Sequence, residues 1–128
     1  MDKIKNKVAL SDTELDALET IQQEAVAAKL SSYVHTFDAP FTFEGRTYDT
    51  LTFDFSKLSG DDDIAIENEL QALGKPVVVA EMSGEYQIRL AARACKERLG
   101  VDAFTAMPLR DFRRIRNRAR SFLLSAGI

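Results

Sequence analysis

Only one stretch of this chain carries a hydrophobic period of two. Phe41-Thr42-Phe43 and then Arg46 to Phe55 alternate apolar and polar residues on either side of Glu44-Gly45. That pattern predicts a β-hairpin with one buried face, Leu51, Phe53 and Phe55 on it and Thr50, Thr52 and Asp54 opposite. Tyr48 has the wrong parity for that face, so a bulge or twist is expected near Asp49. Two strands do not stand alone in water, and the other patterned segments are helical. The fold class expected is therefore α+β, mostly α: an N-terminal helix, a small antiparallel β-hairpin, then three to four packed helices.

The helix boundaries follow from caps and breakers. Ser11-Asp12-Thr13-Glu14 is a capping-box pattern, and Leu15, Leu18, Ile21, Ala25 and Ala28 make a thin apolar stripe behind it. This helix could dock loosely or project toward a partner. Ser31 to Pro40 reads as a connection. Ser59 to Asp63 opens a second helix carrying Ile64, Ile66, Leu70 and Leu73, stopped by Gly74 and Pro76. A third starts at Ser83, turns Tyr86, Leu90, Ala91 and Ala94 inward and stops at Gly100. Val101, Phe104 and Met107 form a short helical turn. Pro108 suits the first position of a last helix with Leu109, Phe112, Ile115, Ala119, Phe122 and Leu123 inward. Residues 1–36 are expected as a helical extension and residues 37–128 as one α+β domain.

A length of 128 residues suffices for one domain with a core of its own. The longest mid-chain apolar run, Pro76-Val77-Val78-Val79-Ala80, is far too short to cross a bilayer, and Met1 to Lys7 is charged, so neither a membrane span nor a signal peptide is expected. Charge is divided along the chain. Residues 38–85 carry eleven acids against three bases, and residues 86–128 ten bases against three acids. Such halves either steer a partner or face each other.

Residues for enzyme chemistry are sparse. The single Cys95 and single His35 cannot form a disulfide or a zinc site between them, and Cys95 reads as a packed thiol. Phosphate-binding glycine loops and a nucleophile elbow are missing. An EF-hand reading of Asp61-Asp62-Asp63 fails, because Ile66 and Ala72 stand at the glycine and bidentate glutamate positions. No catalytic residue, cofactor site or metal site is assigned.

The last helix concentrates Arg110, Arg113, Arg114, Arg116, Arg118 and Arg120, with Asp111 its only acid. Guanidinium groups fork carboxylates or phosphates bidentately. Three readings stay open: a solvated or internally paired face, a docking surface for an acidic protein segment that includes Phe122, or a nucleic-acid stripe used by a small regulator. The overall acidity and the lack of interleaved aromatics disfavour nucleic acid.

Taken in order, several segments resemble one family. They are Phe41-x-Phe43-x-Gly45-x-x-Tyr48-x-x-Leu51, the acidic turn Leu58-Ser59-Gly60-Asp61-Asp62 with Ile64 and Glu67, Tyr86-x-x-x-Leu90-Ala91-Ala92, and Leu109-x-Asp111-x-x-x-Ile115 ending near Phe122-Leu123. From Phe37 to Leu124 the chain resembles the tail assembly chaperones of long-tailed bacteriophages, short proteins encoded ahead of the tape-measure protein. The resemblance implies a non-enzymatic protein of the bacterial host cytoplasm. It would bind the tape-measure protein, help recruit tail-tube protein and take no cofactor. Self-association between copies, acidic middle to basic end, is compatible with the charge pattern.

Overall fold

The structure, a computed structural model, describes residues 11–126, and Met1 to Lys7 lies outside them, as does the side chain of Ala28. The elements run α1 (Asp12–Leu30), β1 (Ser32–Phe43), β2 (Arg46–Asp54), α2 (Gly60–Ala72), α3 (Gly84–Ala94), α4 (Val101–Thr105) and α5 (Leu109–Ala126), with 3₁₀ turns at Phe55–Lys57 and Ala80–Met82. The α+β class, mostly α, is as the periodicities predict.

β1 and β2 pair antiparallel around a two-residue turn, with Phe43 opposite Arg46. Glu44 and Gly45 sit at φ 50° and 77°. Two left-handed residues in a row match the right-handed twist of the flanking strands. The register breaks between Thr36, which faces Thr50, and Phe41, which faces Tyr48. The irregularity thus lies opposite Asp49, but the extra residues belong to β1: Phe37 to Pro40 loop out. Pro40 is tolerated there because a bulge leaves its missing N–H unneeded.

The connection expected over Ser31 to Pro40 is instead most of β1, and the division after residue 36 passes inside that strand. The alternation is present there but inverted at Val34 and His35. His35 and Phe37 are buried, whereas Val34 is 59% exposed. A histidine facing in and a valine facing out hide a period of two.

α3 is the central helix. Tyr86, Leu90, Ala91 and Ala94 are buried as predicted, and so are Gln87, Ile88 and Arg89. Their polar ends are satisfied. The Gln87 amide donates to the carbonyls of Ala80 and Glu81 at 3.3 and 2.9 Å, and Arg89 bonds Glu69 at 3.1 Å and the Glu85 carboxylate. The helix ends at Ala94, well before Gly100. Cys95 leaves it to bridge Phe53. Lys96 N–H then donates to Thr52 O at 2.8 Å, and Glu97 accepts the Thr52 N–H at 2.9 Å. The free edge of β2 is thereby blunted.

α2 begins with Asp62 accepting the Ser59 N–H at 2.9 Å, and that bond, together with Arg93, holds the carboxyl below its ordinary range. The acidic first turn therefore caps and pairs. The helix ends in a Schellman motif, with Gly74 at φ 74° and Lys75 N–H on Leu70 O at 2.8 Å. Ile66 and Leu70 are buried, but Ile64 and Leu73 are 57% and 56% exposed. Residues two apart cannot share a helix face, and Leu73 lies beyond the last turn.

α5 turns Asp111, Ile115 and Ala119 fully inward, while Leu109, expected inside, is 70% exposed. Pro108 caps this helix one place earlier than expected, its carbonyl taking the Phe112 N–H at 3.0 Å. The inward line starts at Asp111 because His35 engages it. Asp111 Oδ1 lies 2.8 Å from His35 Nε2, and the Tyr33 hydroxyl lies 2.8 Å from His35 Nδ1. Phe37 meets the imidazole edge-on at 4.8 Å. Asp111→Ala leaves His35 Nε2 without its partner in a dry site and should lower unfolding free energy by about 2–3 kcal/mol in urea titration. His35→Phe combined with Asp111→Leu should recover much of that loss. Cys95 is buried, which pushes its thiol up to about 11. Ellman's reagent at pH 8 should leave it unmodified in the folded chain and titrate one thiol after urea is added.

Candidate protein-docking surface

The predicted arginine face divides into three parts. Arg110 and Arg114 lie 3.3 and 3.8 Å from the carboxylate of Asp38, which the β1 bulge carries toward α5. Both pairs are exposed and each is worth at most about 1 kcal/mol. Arg118 is structural. It donates to the carbonyls of Lys29 and Ser32 at 2.8 and 3.2 Å and lies 5.2 Å from the Tyr33 ring centroid. It therefore fastens the α1–β1 junction to α5. Arg120 donates to Glu81 O at 3.0 Å, and Arg116 lies over Phe112 and across Gly84. Phe122 stacks on Phe55 with centroids 5.1 Å apart, half inside the core. Among the described residues Arg113 makes no hydrogen bond or ion pair. An open basic edge thus runs along Arg110, Arg113 and Arg114, while the stripe as a whole is broken up.

The opposed charge halves meet inside the molecule. Arg93 bonds Asp62 at 2.9 Å and Arg89 bonds Glu69 across the α2–α3 contact. Much of the complementarity that could have joined copies is used within one chain.

A second surface has no counterpart in the periodicity. The connection between α2 and α3 presents Val78 at 93% and Met82 at 82% exposure. One side of its 3₁₀ turn opens on a shallow pocket lined by Pro76, Val77, Val79 and Ser83. The other side opens on a cavity of about 360 Å³ lined by Leu58, Ala80, Tyr86, Leu90, Phe122 and Leu123. The sequence signal was the run Pro76 to Ala80: three β-branched residues between two helix caps with no second strand to pair with.

On α1, Leu15, Leu18 and Ile21 are 43%, 44% and 60% exposed. The helix touches α5 and β1 but leaves this stripe outward.

The Tyr33–His35–Asp111 relay has the residue types of an acid–base chain, but His35 and Asp111 are 1% and 4% exposed. It fastens the core. No helix among the described residues is long and apolar enough to cross a membrane. Arg118→Ala should speed amide exchange at the end of α1 and lower stability by about 1–2 kcal/mol, since it frees two backbone acceptors. Arg113→Ala should change stability by less than about 0.5 kcal/mol in the same measurement.

No curated protein and no solved structure matches the chain. Residues 34–124 match the family described as phage tail assembly chaperone proteins, E, or 41 or 14. That span starts in β1 beside His35 and ends in α5, so it takes in the hairpin, the central helix and the arginine helix together. This chain belongs to the phage tail assembly chaperone family.

Proposed function

We propose that the chain acts in the host cytoplasm as a non-enzymatic holder of the tape-measure protein, and that it brings tail-tube protein to the growing assembly. The family match over residues 34–124 carries this reading, because it spans the whole unit that bears both docking surfaces. Two features support it physically. Arg110, Arg113 and Arg114 form an open cationic edge, and Val78 and Met82 offer apolar side chains to a partner without unfolding of the domain. A long partner needs apolar cover before it assembles, and a rigid scaffold supplying it loses little entropy on binding. A nucleic-acid stripe has less support, since Arg118 and Arg120 are spent on backbone carbonyls.

Co-expression with the tail protein encoded downstream should raise that protein's soluble yield severalfold. An unchanged yield counts against the proposal. Arg110→Glu with Arg113→Glu should weaken co-purification about tenfold while the thermal midpoint stays within a few degrees, because neither side chain holds the core.

A further inference from the structure

The cavity between α2, the Ala80–Met82 turn and the end of α5 is apolar inside and acidic at the rim. Leu58, Ala80, Leu90, Phe122 and Leu123 line it, and Asp63 and Glu81 stand at its edge. Asp63 accepts the Tyr86 hydroxyl, and Glu67 and Glu81 also act on that phenol through their charge. Burial first, then these carboxylates, push the Tyr86 hydroxyl far above its ordinary value. Two carboxylates, Asp63 and Glu81, thus line one mouth, and the charge of Glu67 reaches the Tyr86 phenol beside it. Arg120 reaches this turn, but its Nε is committed to the Glu81 carbonyl rather than to a carboxylate. Among the described residues neither Glu67 nor Glu81 has an ion-pair partner. Across the Ala80–Met82 turn, Val78 and Met82, the two most exposed large apolar side chains among the described residues, line the shallower pocket.

We propose that this cavity is the docking site for a basic amphipathic segment of the partner, which seats an apolar side chain on Phe122 and Leu123 and sets lysine or arginine against Asp63 and Glu81, within the field of Glu67. The proposal deepens the reading of the chain as a holder of a tail protein and supplies the chemistry of the held segment. An apolar floor alone would take any hydrophobic peptide. The acidic rim selects one sign of charge, because a glutamate brought to the mouth would meet the like charges of Asp63 and Glu81. Val78 and Met82 offer further apolar contact across the Ala80–Met82 turn, and an unbranched thioether adapts to varied side chains. The basic edge on Arg110, Arg113 and Arg114 has the opposite sign, so the two surfaces take different parts of a partner.

The test uses the full-length chain and two fluorescein-labelled 18-residue amphipathic helical peptides. They share leucines at the inward positions, one with lysine and the other with glutamate elsewhere. In fluorescence anisotropy at about 0.1 M salt the lysine peptide should bind at least tenfold tighter than the glutamate peptide. Glu67→Lys with Glu81→Lys should reverse that preference. Glu44→Lys with Asp49→Lys makes the same charge change on the hairpin and should leave binding within twofold. Equal binding of the two peptides overturns the proposal. So does an equal loss in the hairpin variant, which would mean diffuse attraction to net charge. Circular dichroism of each variant separates unfolding from lost binding, and for an unfolded Glu67 and Glu81 pair the milder Glu67→Gln with Glu81→Gln should bind the lysine peptide at least threefold more weakly. The tape-measure reading is judged separately by co-expression. Peptide selectivity without a gain in tail-protein yield would keep the cavity and remove that partner.

Discussion

The contact of His35 with Asp111 ties together two segments that neither local pattern nor chain proximity would join. A two-stranded hairpin is unstable by itself, and α5 has only part of an apolar stripe. Joining them in a dry site gives each the cover it lacks. The imidazole is held on both nitrogens, by Tyr33 on one side and Asp111 on the other. That geometry sets the rotation of α5 about its axis, which is why Leu109 faces water and Arg118 reaches back to Lys29 and Ser32.

Charge is arranged on the same scaffold. The central helix is buried nearly all round, so Arg89 must be paired, and it takes Glu69 and Glu85. Arg93 reaches the capping Asp62. The acidic middle and basic end are therefore partners first. What remains after this pairing is local: an open basic edge on α5 and an acidic mouth above Phe122. Two surfaces of opposite sign on one small domain suit the proposed role of holding one chain and meeting another.

A good part of the fold could be read along the chain. The turn at Glu44-Gly45, the buried face Leu51, Phe53 and Phe55, the Gly74 stop and the inward residues of α3 all follow from period and caps. β1 before Phe41 could not be read, because His35 reads as polar and its partner lies 76 residues away. The end of α3 was hidden for a similar reason: Cys95 leaves a favourable helix for a strand edge that exists only once the hairpin has formed. The arginines could be counted but not sorted, since a guanidinium on a helix surface looks the same whether it meets solvent, Asp38 or a carbonyl. The exposed valines were visible as a run, yet an apolar run without a period is equally a buried strand.

Local chemistry, then, determined the element types, the caps, the hairpin turn and the absence of a familiar catalytic motif, because those depend on neighbours a few residues away. Tertiary structure decided which polar residues are core and which apolar residues are surface. It put His35, Asp111 and Arg89 inside and left Val78, Met82 and Leu109 outside. Burial is a property of what other segments cover, and the cost of hiding a charge or exposing a valine can be offset only by partners brought from far along the chain.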